Sequence, residues 1–240
     1  MEPICLVYHG FCRARPEGDP NHLLVLETEF ERQLTLLDRR RFQPVDLDGF
    51  LAARRNGGAR RPYLLTLDDG YVSVLDIADP ILARRRQPAL LFVSPALLGK
   101  ETSPERIVSA DELRELHRSG FEIGAHGLDH RRLTELSEEE LRRQCSEARE
   151  HLADLLGRLP RAFSYPHGAF DTNACRAVAA AGYEVGFAVD RSAGVFALPR
   201  VGVYRRDSVA VFRVKLLFAH RGLRRLRQGA GLLRRPRAGL

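Results

Sequence analysis

The chain has 240 residues, 44% of them hydrophobic, and a net charge of +7 carried almost entirely by arginine. That is enough for one domain with a substantial core, and too large to depend on disulfides, so Cys5, Cys12, Cys145 and Cys175 read as reduced thiols. No basic start leads into a signal-like apolar stretch, and no window reaches ~18 uninterrupted apolar residues, so neither a secreted nor a membrane-spanning protein is expected.

In chain order, the apolar run 4 to 8 reads as a strand ending at His9, a histidine suited to core packing or to the edge of a cleft. A helical pattern occupies 27 to 40. The strand at 63 to 67 follows the polar stretch Arg54 to Arg61 and emerges into Thr66-Leu67-Asp68-Asp69-Gly70-Tyr71. Side chains alternate along a strand, so one aspartate can ligate a metal while the other turns toward substrate. Asp-Asp-Gly is equally an ordinary turn or helix-cap signal. Helical patterns at 72 to 86, with Pro80 expected to kink it, and at 109 to 119 flank a strand at 89 to 93. The strand at 121 to 125 closes on Gly124-Ala125-His126-Gly127-Leu128-Asp129-His130. On a helical turn His126 and His130 would share a face and reach one ion, and zinc accepts two histidines and a carboxylate with a position left for water.

Ser137 and three following glutamates open a helix at 137 to 156, which Gly157 can end. The strand at 162 to 165 runs into Phe163-Ser164-Tyr165-Pro166-His167-Gly168. Proline fixes the backbone and glycine frees it, which can aim the amide of His167 into a cleft as an oxyanion donor; the bland reading is a strand-to-helix turn. Asp171 caps a helix at 171 to 181, and a further strand lies at 185 to 189. Strands alternating with helices argue for a parallel sheet with two carboxylates and two or three imidazoles at its strand ends. Val209 to Arg227 reads as a basic amphipathic helix, and the arginine-rich segment Arg221 to Arg237 suits an anionic membrane surface better than nucleic acid, or a solvated terminus.

The three motifs, in this order, resemble the polysaccharide deacetylases of the NodB-like carbohydrate esterase family, carbohydrate esterase family four. Cys5-Leu6-Val7-Tyr8-His9 and the Tyr-Pro-x-Gly third motif resemble one bacterial branch, and the likeness runs over residues 3 to 205. The resemblance implies a distorted (β/α) barrel of about seven parallel strands, here residues 1–220, followed by a basic tail, 221–240. It implies that Asp69, His126 and His130 bind a divalent ion, zinc first, with cobalt, nickel or manganese as alternatives. Asp68 would be the catalytic base and the His167 amide an oxyanion donor, with His9, Tyr165 and Pro166 toward the substrate. The chain departs from the family pattern at Gly127, where Ser or Thr is usual, at Arg131, where Pro is common, and at Ser164, where an arginine steadies the base. Arg200, in Leu198-Pro199-Arg200-Val201, is the candidate to replace that arginine. The proton for the departing amine would come from His220, in Phe218-Ala219-His220, from His9 or from His167.

The implied reaction is metal-dependent removal of N-acetyl groups from a polysaccharide or its precursor. Reduced thiols favour the cytoplasm, and hence a lipid-linked saccharide at the inner membrane face. A barrel amidohydrolase acting on a small non-sugar amide, and a saccharide-binding relative without turnover, are the alternatives.

Overall fold

The computed structural model describes residues 3–16, 18–56, 60–189 and 194–220. Its first strand, β1 (Ile4–Tyr8), is followed by a small parallel pair, β2 (Gly10–Cys12) and β3 (Leu24–Leu26), and by α1 (Glu27–Arg39). Next come β4 (Phe42–Pro44), α2 (Leu47–Asn56) and β5 (Arg61–Leu67). A π-helical turn, Val74–Ala78, passes directly into α3 (Asp79–Arg85), and then come β6 (Leu90–Val93) and α4 (Ala110–Ser119). After these come β7 (Glu122–Ala125), α5 (Glu138–Leu156), β8 (Ala162–Ser164), α6 (Thr172–Ala180), β9 (Val185–Val189), β10 (Leu198–Gly202) and α7 (Val209–His220).

Seven of these strands close a parallel barrel in the order β1-β10-β9-β8-β7-β6-β5, sealed by five residue pairs from Ile4↔Tyr63 to Tyr8↔Leu67. Its distortion is located on β5. There β4 pairs with Arg61 to Tyr63 and β6 with Thr66 and Leu67, so two strands share the edge of β5 that β1 leaves open. The strands are near-continuous apolar runs because both faces are covered, one by the barrel lumen and the other by helices. Cys5, Leu64, Leu90, Phe92, Ala162, Val185, Phe187 and Leu198 fill the lumen together with Leu47 and Phe50 of α2, which plugs the strands' starting end. Continued along the same side, these positions become polar toward the strand ends: Leu64 is followed by Thr66 and Asp68, Ala162 by Ser164, and Leu198 by Arg200.

The helix ends obey the local signals. Ser109 and Ser137 form reciprocal capping boxes with Glu112 and Glu140, Asp171 accepts from the Ala174 amide, and Gly157 ends α5 at φ 72°. The helical pattern at 72 to 86 is not one kinked helix. It divides at Asp79, and Pro80, which has no N–H to offer, falls in the first turn of α3, where none is needed. Elements β2, β3, β4 and α2 were not among those expected; the three strands have only three residues each. No disulfide forms among the four cysteines, and no helix among the described residues is long and apolar enough to cross a membrane. Of the amphipathic helix expected at 209 to 227, the part beyond His220 lies outside the described residues, as does the whole basic tail 221–240.

Gly124 shows how tightly the lumen is packed beneath the second motif. A Cβ there would lie 2.5 Å from the Phe92 ring and 2.9 Å from the Ala162 carbonyl oxygen. Gly124→Ala is therefore expected to cost about 1–3 kcal/mol, read as a lower urea midpoint at unchanged slope. An unshifted midpoint would contradict this packing.

Candidate active site

The polar layer at the strand ends is organised by one buried cation. Arg200 donates from Nη1 to Asp68 Oδ1 and from Nη2 to Asp68 Oδ2, both at 2.7 Å. Its remaining N–H groups reach Ser164 Oγ (2.7 Å), Thr66 Oγ1 (3.1 Å) and the Ala188 carbonyl (3.3 Å), which satisfies the whole guanidinium. Ser164 Oγ in turn donates to Asp68 Oδ2 at 3.1 Å, and Thr66 Oγ1 to the Leu6 carbonyl at 2.7 Å. The guanidinium carbon lies 5.5 Å from the centre of the Phe92 ring. Burial alone would raise the pKa of Asp68, but the Arg200 charge, followed by His126, pulls it below the ordinary carboxylate value. Thus Arg200 occupies, from β10, the space beside Asp68 that Ser164 is too short to fill.

Asp69 leaves the strand with a left-handed backbone, φ 72°, which turns its side chain into the same cleft as Asp68. Its Oδ1 lies 3.5 Å from His126 Nε2 and 3.2 Å from His130 Nε2. His126 Nδ1 sits 2.8 Å from the Ser164 carbonyl, which can only accept, so Nδ1 carries a proton and Nε2 is the atom turned to Asp69. The two histidines are not on a helical turn. The chain instead leaves β7 through left-handed Gly127 (φ 72°) and reaches left-handed His130 (φ 65°), which folds the second ring back beside the first, 4.9 Å between centres.

Gln144 of α5 clamps that loop. Its Oε1 accepts from the amides of Leu128 (2.9 Å) and Asp129 (3.4 Å), and its Nε2 donates to Asp129 Oδ1 (2.7 Å). Ser94 Oγ adds a 2.6 Å bond to the His126 carbonyl. A side chain at Gly127 would begin 3.1 Å from Gln144 Oε1, so the glycine both permits the turn and leaves room for the clamp.

Among the described residues, Asp69, His126 and His130 form the cluster able to hold a metal, with one ligand atom from each within 4.8 Å of the others. Asp69 Oδ1 is buried and has no hydrogen-bond donor. Burial opposes its ionisation, yet His126 and then His130 hold its carboxyl well below the usual range. Ligands about 2.1 Å from a tetrahedral zinc stand about 3.4 Å apart, which is the spacing of these Asp–His pairs. The donor set therefore fits a divalent ion.

His167 and His9 border this cluster. His167 is exposed, has a left-handed backbone (φ 58°, ψ 11°), and places its ring 4.6 Å from that of His130. Partial burial, then the His130 charge, lowers its pKa to about 4. His9 is half-buried at the end of β1, 6.2 Å from the Tyr204 ring, with Nδ1 buried and unpartnered. Burial lowers its pKa, and Asp69 and Asp68 oppose that fall.

Two expected substrate contacts are corrected. Ser164 faces the lumen, so Tyr165 faces the other way; it is fully buried against Phe163 and Phe170 and donates to the Phe196 carbonyl at 2.6 Å. Pro166 is also buried, and a Cβ at Gly127 would lie 3.4 Å from its Cγ, so it supports the histidine loop from beneath. The side chain of His220 lies outside the described residues. Sequence reasoning missed Gln144, Ser94 and Thr66. Gln144 carried a signal, because it interrupts the otherwise apolar buried stripe Leu141, Cys145, Ala148, Leu152 of α5.

The profile of the polysaccharide deacetylase family matches residues 55–186, more than half of the chain, and the chain belongs to that family: it is a carbohydrate N-deacetylase, a hydrolase. It is 23% identical over 205 residues to YxkH of Bacillus subtilis (strain 168), which itself carries a provisional polysaccharide deacetylase assignment; the match covers 82% of this chain and 70% of YxkH. Among solved structures it resembles the Streptococcus pyogenes deacetylase PplD in complex with acetate (TM-score 0.78, 20% identity, 90% of this chain and 98% of that one). It resembles IcaB from Ammonifex degensii to a similar degree (TM-score 0.77, 24% identity, 90% and 96%). At these identities the two structures support the fold.

Arg200→Met would leave Asp68 buried without its counter-charge, and is expected to cost about 3–5 kcal/mol near neutral pH. Because the folded pKa of Asp68 is depressed, the pair's contribution is complete above the unfolded value of about 4 and is lost as pH falls through the lower folded value. Urea midpoints of wild type and variant should therefore converge in acid. A gap independent of pH would contradict the pairing.

Proposed function

We propose that this chain is a metal-dependent hydrolase that removes N-acetyl groups from an N-acetylated sugar in a polysaccharide or its lipid-linked precursor. The observation that carries this reading is the adjacency of two differently held carboxylates: Asp69 faces the Nε2 atoms of two imidazoles, while Asp68 is fixed by Arg200 with Oδ2 4.0 Å from His126 Nε2. Asp69, His126 and His130 would hold the ion, zinc by preference for two imidazoles and a carboxylate, with cobalt, nickel or manganese able to use the same donors. When bound there, such an ion supplies Lewis acidity toward the acetamide carbonyl and acidifies water.

The remaining work belongs to the chain's own groups. Asp68, ionised at neutral pH beside Arg200, takes the proton of the attacking water as general base. Its bonds to Arg200 and Ser164 keep it aimed and keep it from joining the ligand set. The His126 ring is held in the needed tautomer by the Ser164 carbonyl, so one residue orients both base and ligand. The His167 amide donates to the oxygen on which negative charge develops. The imidazoles of His9 and His167, whose pKa values are lowered, border the site and would pass to the departing amine the proton that Asp68 takes from water.

Acetate release from short N-acetylglucosamine oligomers, followed with metal analysis, tests this reading. Asp68→Asn should retain the ion and lose about 100-fold or more in kcat, while Asp69→Ala should lose the ion itself. Full turnover in Asp68→Asn would refute the base assignment, and turnover unaffected by chelator would refute metal dependence.

A further inference from the structure

Helix α7 is apolar on two opposite sides. Phe212 and Leu216, 0% and 4% exposed, pack toward the barrel and α1. The opposite side presents Val211, Val214, Leu217 and Phe218 at 43%, 48%, 43% and 50% exposure, with exposed Ala210 among them. At 100° per residue these five occupy one continuous outward arc of about 120°. Arg213 borders the arc on one side and Lys215 on the other, and α7 contains no acidic residue. Its roll is fixed: Lys215 Nζ donates to the Gly202 carbonyl at 2.8 Å and to the Asp207 carboxylate, and Asp207 in turn receives a 2.8 Å bond from Gln33 of α1 through its carbonyl. The apolar arc therefore cannot turn inward without breaking those bonds.

The sequence that follows α7 indicates what covers this face. Residues 221–240 contain seven arginines and no acid, so the whole net charge of +7 resides there, and the other 31 basic side chains balance 31 acidic ones. An apolar helix face followed in sequence by seven arginines is complementary to an anionic lipid surface, where apolar side chains enter the headgroup boundary and guanidinium groups meet phosphates. A second copy of the chain would bring two such positive segments together. We propose that the outward face of α7 docks the protein on anionic bilayers, with the arginines of 221–240 supplying the electrostatic part of the contact.

The test is co-sedimentation of the full chain with vesicles of phosphatidylcholine alone and of phosphatidylcholine with phosphatidylglycerol. Binding should require the anionic lipid. The double change Val214→Asp with Phe218→Asp should weaken it by about tenfold or more while thermal melting stays near wild type, because both side chains are exposed. Changing the seven arginines of 221–240 to serine, a variant that leaves α7 untouched, should abolish the dependence on anionic lipid. Equal binding to both vesicle types, or undiminished binding by both variants, would overturn the proposal. So would a dimer that the α7 variant dissociates, or tighter binding to duplex DNA than to anionic vesicles.

Discussion

The structure turns on one charge buried where seven strands end. A guanidinium taken out of water is tolerated only with a matched counter-charge and partners for every N–H. Arg200 has both: Asp68 accepts two of its bonds, and Ser164, Thr66 and the Ala188 carbonyl accept the rest. These partners lie in β5 or just past its end, in β8 and in β9, while the arginine itself comes from β10. The pair therefore links strands far apart in sequence. It also explains why the lumen changes character along its length, from Leu64, Ala162 and Leu198 below to Asp68, Ser164 and Arg200 above.

The division of labour between the two aspartates follows from that arrangement. Asp68 has both oxygens committed to Arg200, so it is poorly placed to enclose an ion and well placed to act on something beside it. Asp69, one residue on, is freed from strand alternation by its left-handed backbone and turns its unpartnered Oδ1 to the imidazoles. Ser164 and Gln144 carry the arrangement outward. The former ties His126 to Asp68 through one residue, and the latter fixes the loop that brings His130 back over the site.

Much of this was legible in the chain because each motif follows an apolar run that reads as a strand, and strand ends in a parallel barrel converge. The family resemblance pointed to Asp69, His126 and His130 as a candidate ligand set, and one ligand atom from each lies within 4.8 Å of the others. Arg200 was recognisable as a replacement for a missing arginine because Leu198-Pro199-Arg200-Val201 resembles a late barrel strand of the same family branch. What could not be read was backbone handedness. The i,i+4 spacing of His126 and His130 suggested a helical turn, whereas Gly127 and His130 itself, both at positive φ, bring the rings together by another route. Tyr165 illustrates a second limit, since alternation along β8 places it opposite Ser164, and the inward role of Ser164 was hidden while that position was seen as an absence. The three-residue strands β2, β3 and β4 carry no motif at their ends that would mark them, as Tyr165-Pro166-His167-Gly168 marks the equally short β8.

The central claim is that the ion and the base are held by separate residues, and anomalous diffraction at the zinc edge from crystals grown with zinc would test it most directly. The account predicts one strong peak bonded to Asp69, His126 and His130, with both Asp68 oxygens still on Arg200. A peak bonded to Asp68 with the Arg200 contact broken, or no peak among these three side chains, would contradict it.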